Sequence, residues 1–225
     1  MTTDISKIML WGSSSHAGYT SEIVERQGRH EIEFMYDPTL DSDTRRHGYK
    51  VLSGSLGDLK DAVESEGVKG VIVAIGDNFV RHSVSSQIKD GLNSLKFVNA
   101  VHDSAVIGDG VEVGRGVVVM AGAVITRNSR IGEGVFLATN CAVGYGTDVE
   151  AFASILGEAA TGGNCSIGER TAIGMGATVI QEIQVGPRTI VGAGSLVLDD
   201  LPKDKVAFGS PAEPVKKRPK NYEYL

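Results

Sequence analysis

From Val101 to Val197 an apolar side chain returns every six residues: Val101, Ile107, Val113, Val119, Ile125, Ile131, Leu137, Val143, Val149, Ile155, then Ile167, Ile173, Val179, Val185, Val191 and Val197, with Thr161 the one interruption. The frame runs without an insertion. A period of six is neither the 3.6 of a helix nor the 2 of a strand. It is the period of a hexapeptide β-helix, in which each hexad makes one short strand and one turn and three hexads close a triangular coil. The residue after the frame position is often glycine, as at Gly108, Gly114, Gly132, Gly144, Gly168, Gly174, Gly186 and Gly192. A tight corner favours that choice. Four residues after the frame position the side chain is mostly small or β-branched, as at Ala105, Val111, Ala123, Ser129, Cys141, Thr147, Thr171 and Ser195.

The first hundred residues follow other rules. Apolar runs at 8–11, 31–36 and 70–75 each end in a polar turn, and helical spacing links Ile23 with Val24 and Leu56 with Leu59, Ala62 and Val63. Strands alternating with helices predict a small parallel α/β sheet with ligands beyond the carboxyl ends of its strands. The chain is therefore read as α/β plus β: a Rossmann-like domain over 1–96, a left-handed parallel β-helix over 97–200, and a C-terminal tail over 201–225.

A net charge of −6 supplies no general attraction to nucleic acid or acidic membranes. No apolar run approaches the ~18 residues of a membrane span, and the start MTTDISK lacks a basic, then apolar leader. These features predict a cytoplasmic protein. Cys141 and Cys165 lie 24 residues apart at inward positions, four hexads and hence different sides of the triangle, so they are expected as free buried thiols.

Two loops are candidates for chemistry. Gly12–Ser13–Ser14–Ser15–His16–Ala17–Gly18 is either a plain turn or a cradle of backbone N–H groups for a phosphate at a helix start. The run Ile75–Gly76–Asp77–Asn78 with Arg81 is either a capped helix start or a second part of that site.

Taken together, the glycine-and-histidine turn, Asp37 after the second strand, the IGDN run with Arg81, and a β-helix closing on Gly209–Ser210–Pro211–Ala212 resemble the sugar O/N-acyltransferase family. That family includes bacillosamine-pathway acetyltransferases and sialic acid O-acetyltransferases. The resemblance covers nearly the whole chain and is especially close from Gly168 to Ala212. It implies a nucleotide-sugar site made by Gly12, Ser13, Ser14, His16, Asp37, Gly76, Asp77, Asn78 and Arg81. It implies a homotrimer with acetyl-CoA as cosubstrate between neighbouring β-helices, near Gly163, Asn164 and Gln181, and no metal. Lys216, Lys217 and Arg218 are read either as contacts to a CoA phosphate or as a solvated tail.

The family's chemistry centres on a histidine followed by an acidic residue. Counted back from Gly162–Gly163–Asn164, that pair falls on Tyr145 and Gly146, so both members are replaced. No histidine follows His102 in the β-helix. A free tyrosine titrates near 10 and is a poor base at neutral pH. An amine needs a base less than a hydroxyl does. The resemblance therefore implies an acyl-CoA-dependent N-acyltransferase acting on a nucleotide-linked amino sugar in glycan biosynthesis, with Tyr145 at the catalytic position. The alternative is a non-catalytic trimeric relative that binds the nucleotide sugar or serves as a scaffold. Asp148, Glu150 and Glu158 are substitute bases or solvated corner charges, and His102–Asp103 is read as structural.

Overall fold

The computed structural model describes residues 6–40 and 44–219. Its N-terminal sheet contains β1 (Ser6–Trp11), β2 (His30–Tyr36), β3 (Thr44–Arg46), β4 (Tyr49–Leu52), β5 (Gly70–Val73) and β6 (Lys96–Phe97). Their order is β3-β4-β2-β1-β5-β6, parallel except for the β3–β4 hairpin. β1 is central, and Ile8, Met9 and Leu10 are fully buried, which is why it reads as a continuous apolar run. Helix α1 (Ser15–Gln27) packs on one face through Ala17, Ile23 and Val24. Helices α2 (Leu56–Ser65) and α3 (Asn78–Gly91) cover the other through Leu59, Val63, Val84 and Ile88.

The β-helix follows at once. Strands β7 (Ala100–Val101) to β23 (Leu196–Val197) contain two residues each, and each ends on a frame residue. They stack in parallel at a spacing of eighteen residues, as in Val119↔Leu137, and form three sheets. The frame side chains fill the prism, with Val119, Leu137, Val143, Ile155, Ile167 and Val179 all inaccessible. Cys141 and Cys165 are buried free thiols, as expected.

The three outer faces differ. One carries Ala100, Val118, Phe136, Ser154, Ala172 and Ile190, all buried. Ala100, Val118 and Phe136 form a single core with α1, so the N-terminal domain sits on this face. A second carries Val106, Val124, Ala142, Ala160, Thr178 and Leu196, with Val106 57% exposed. The third is polar, carrying Glu112, Arg130, Asp148, Ser166 and Gln184.

The segment expected as a tail behaves differently. β24 (Lys205–Gly209) continues the domain-bearing sheet by pairing with Ile190–Val191, and β25 (Ala212–Lys217) turns back on it antiparallel. Val206 and Ala207 are buried there because the last open strand edge is covered rather than left to solvent. Coiling thus extends beyond residue 200. Arg218 is also no part of a solvated tail: it is 4% exposed and donates to Arg170 O and Asn78 Oδ1.

Candidate active site

Two clusters from the sequence reading keep their surface position. The first lies at the carboxyl end of β1 and β2. Gly12 has φ +116°, and a Cβ there would lie 2.7 Å from Ala74 O, so glycine is required where the chain leaves β1. Ser13 Oγ donates to Asp37 Oδ2 at 2.7 Å. Burial opposes ionisation of Asp37, but hydrogen bonds from Thr39 and Ser13 outweigh it and hold its carboxyl below the ordinary range. Ser14 is the N-cap of α1, and its side chain makes no cap bond. Ser13, Ser14, Ser15, Asp37, Leu40, Arg46 and His47 enclose a cavity of about 440 Å³. Arg46 and His47 are absent from the sequence reading because they arrive on the β3–β4 turn, which no motif marks. The His47 ring packs on Gly18, and its Nε2 lies 3.0 Å from Ser14 O.

His16 turns away from this cavity. Its ring centroid is 4.3 Å from that of Phe136 on the β-helix, and its Nε2 is buried without a partner. Burial, with Arg81 nearby, lowers its pKa to about 4, so it is neutral at pH 7.

The IGDN run corrects the sequence reading. Asp77 Oδ1 accepts from Phe79 N and Val80 N, both at 2.9 Å, and caps α3. Asn78 is inaccessible and donates to Arg170 O at 2.6 Å. Arg81 is 2% exposed. It donates to Ile75 O and Gly76 O in its own domain and to Gly134 O, Phe152 O and Ser154 Oγ on the β-helix. Asn78 and Arg81 join the domains, and Asp77 caps the helix that presents them. A buried guanidinium needs several acceptors, and carbonyls from both domains together with the Ser154 hydroxyl supply them here. Gly76 belongs to this junction through its carbonyl.

The second cluster lies on the corner between the apolar and polar faces, opposite the domain-bearing face. Arg127, Tyr145, Gly163 and Gln181 occupy equivalent positions of successive coils. Backbone bonds along the column run from Gly146 N to Arg127 O, Asn164 N to Tyr145 O and Glu182 N to Gly163 O. Tyr145 is 51% exposed. Asn128 Nδ2 donates to its hydroxyl oxygen at 3.1 Å, a contact between turns seventeen residues apart. Arg127 instead reaches Asp109 at 3.4 Å, both side chains being exposed. Asn164 has φ 56° and stacks beneath Gly146.

The proposed substitute bases are engaged elsewhere. Asp148 pairs with Arg130 on the polar face, and Glu150 Oε2 accepts from Glu169 N at 2.8 Å. Glu158 sits on a different corner, paired through its backbone with Thr139 O. A larger cavity, about 830 Å³, lies on a third corner near Phe79, Arg170, Arg188 and Lys217, away from Tyr145. Among the described residues no group of His, Cys, Asp and Glu is arranged to hold a metal ion, and no helix is long and apolar enough to cross a membrane.

The model of the PglD N-terminal domain matches residues 7–88, and that of the bacterial transferase hexapeptide (six repeats) matches residues 104–139. The chain is similar to perosamine N-acetyltransferase from Caulobacter crescentus, solved as a histidine-to-asparagine variant with CoA and GDP-perosamine: identity is 32%, covering 96% of this chain and 100% of that one, with a TM-score of 0.87. It is also similar to the acetyltransferase domain of PglB from Neisseria gonorrhoeae FA1090, solved with acetyl coenzyme A, at 28% identity over 94% of this chain and 100% of that one, with a TM-score of 0.83. A probable serine acetyltransferase 1 from Oryza sativa subsp. japonica is 38% identical over 116 residues, 52% of this chain, which spans only 34% of that relative.

Proposed function

This chain belongs to the sugar acyltransferase family, and on that premise we propose that it transfers an acyl group, acetyl in the first instance, from coenzyme A to the amine of a nucleotide-linked sugar. The observation that carries this reading is the unbroken likeness over both halves to an N-acetyltransferase bound to CoA and GDP-perosamine. The nucleotide end belongs in the cavity of Ser13, Asp37, Arg46 and His47. The thioester belongs at the column of Tyr145, Gly163, Asn164 and Gln181, with the Gly163 N–H facing the acyl oxygen.

Within one chain these two places lie on different sides of the prism. The N-terminal domain covers one face of the prism, and Tyr145 is on the opposite corner. A three-fold assembly, in which the apolar face carrying Val106, Val124 and Ala142 packs on the next copy, brings one subunit's cavity toward its neighbour's corner. Light scattering should give three chains per particle, and a monomer at micromolar concentration refutes the assembly.

An amine acceptor suits a corner with no imidazole. Positioning alone supplies much of the rate when the nucleophile is already good. The second reading, a binding protein without turnover, is favoured by the same missing base. Thiol release from acetyl-CoA with a panel of nucleotide-linked amino sugars separates the two: product amide and free CoA support transfer, whereas binding without thiol supports the second.

A further inference from the structure

We propose that Asn128 is a positioning residue that, by donating to the Tyr145 hydroxyl oxygen, orients that hydroxyl as a hydrogen-bond donor to the acyl thioester. The proposal rests on the acyl-transfer reading and adds a role for two residues in it.

Asn128 has φ 62°, and its Oδ1 lies over Gly110, 2.6 Å from where a Cβ would stand. The same arrangement recurs at Asn164, whose Oδ1 lies over Gly146, and at Asn140, whose Oδ1 lies over Gly122. At all three sites an oxygen faces a glycine CH₂. A carbonyl oxygen accepts weakly from such a C–H, whereas an NH₂ there would point at carbon. The oxygen therefore turns inward and the NH₂ outward. At Asn128 the outward NH₂ meets Tyr145 Oη at 3.1 Å.

A phenol has one proton. With Asn128 donating to its oxygen, Tyr145 must aim that proton elsewhere. Among the described residues no carbonyl or carboxylate receives it, and the ring is half exposed at the corner. Gly163 is directly beneath: a Cβ on it would stand 3.2 Å from Tyr145 O and 3.7 Å from Tyr145 Cβ. The acyl thioester is set at this corner, where the phenolic O–H, its oxygen held by Asn128 in the preceding coil, and the Gly163 N–H of the following coil are both donors without a protein acceptor among the described residues.

The step then balances without a protein base. The sugar amine nitrogen forms a bond to the thioester carbon, and charge gathers on the acyl oxygen against the Tyr145 O–H. The C–S bond breaks with its electron pair going to sulfur. The proton lost by nitrogen passes through water to the thiolate or the solvent. Tyr145 keeps its own proton throughout.

Asn128→Asp tests the sign of this role. A carboxylate is nearly the same shape but only accepts, so it turns the Tyr145 proton onto itself. For a donor, kcat falls about fivefold, to the level of Tyr145→Phe, the effect of one neutral hydrogen bond. Adding Asn128→Asp to Tyr145→Phe then costs nothing further, and the Kd for CoA is unmoved throughout. For a base, a carboxylate behind the phenol maintains or raises kcat, and that result overturns the proposal. So does a further loss in the double variant, which marks a purely structural role. A second measurement needs no turnover: in the free, ¹⁵N-labelled protein the Asn128 side-chain amide proton should shift upfield in Tyr145→Phe, and an unmoved resonance overturns the pairing. Absence of thiol release from the parent protein with every acceptor defeats the acyl-transfer reading and the catalytic role with it. An active parent beside an undiminished Asn128→Asp defeats this proposal alone.

Discussion

Replacing Arg81 by methionine should loosen the N-terminal domain from the β-helix. Methionine keeps most of the volume and removes the guanidinium. Among the acceptors that lose a donor are Gly76 O at 2.7 Å, Gly134 O at 2.8 Å, Ser154 Oγ at 2.9 Å, Ile75 O at 3.0 Å, Phe152 O at 3.1 Å and Ala153 O at 3.4 Å. Each buried acceptor that this leaves without any donor costs about 1–3 kcal/mol. Against that sum stands the relief of no longer burying a charge, several kcal/mol on its own. With most of the loss offset in this way, a net destabilisation of about 3 kcal/mol is the expected outcome. For a chain of this length 1 kcal/mol moves Tm by about 2–4 °C, so the melting point should fall by roughly 6–12 °C. Arg81→Lys should restore little of it, because one ammonium cannot span acceptors arranged around a planar fork. Thermal unfolding followed by circular dichroism is the assay. A melting point for Arg81→Met within about 2 °C of the parent would show that these bonds are not what joins the domains.

Tyr145→Phe should retain a substantial rate, with about a fivefold loss in kcat, since one neutral hydrogen bond in a half-exposed site contributes about 1 kcal/mol. A hundredfold fall with CoA binding intact would instead make the hydroxyl an acid or base. Restoring a histidine by Tyr145→His should fold well. Adding Gly146→Asp should reduce stability, because residue 146 has φ 62° and its Cβ would stand 2.7 Å from Asn164 Oδ1; the two melting curves decide this. Gly163→Val should abolish CoA binding in calorimetry while the oligomer persists, because the new side chain fills the space beneath Tyr145; unchanged binding counts against placing the thioester there. His16 is held neutral by burial, which lowers its pKa to about 4. Its contribution is therefore complete above the unfolded value near 6.5 and lost as pH falls toward 4, on the order of 3 kcal/mol when fully expressed. His16→Asn should flatten the stability profile over that window relative to the parent, and parallel profiles would refute the assignment.

The β-helix was legible almost residue by residue. Each strand ends on a residue of the period-six frame, and the column of Arg127, Tyr145, Gly163 and Gln181 falls where a spacing of eighteen puts it. The α/β half was legible as an alternation, with Gly12, Ser13 and Asp37 at the strand ends where such a sheet places ligands. The cavity's other wall was not. Arg46 and His47 arrive on a hairpin turn whose sequence carries no periodic mark.

What the sequence determined by itself is whatever repeats or acts locally. A frame residue must point inward because its neighbours one coil away obey the same rule, and the absence of a histidine at position 145 is plain from counting. Only the tertiary structure decided which polar residues meet solvent and which meet protein. Asp77, Asn78 and Arg81 have the composition of a ligand loop, yet Arg81 is satisfied by Gly134 and Phe152, more than fifty residues away, and Asn78 by Arg170. Tyr145 is marked in sequence by its place in the frame, but its partner Asn128 is not, until coiling sets one turn above the other. A hydrogen bond depends on where its acceptor stands, and for these residues the acceptor is placed by distant parts of the chain.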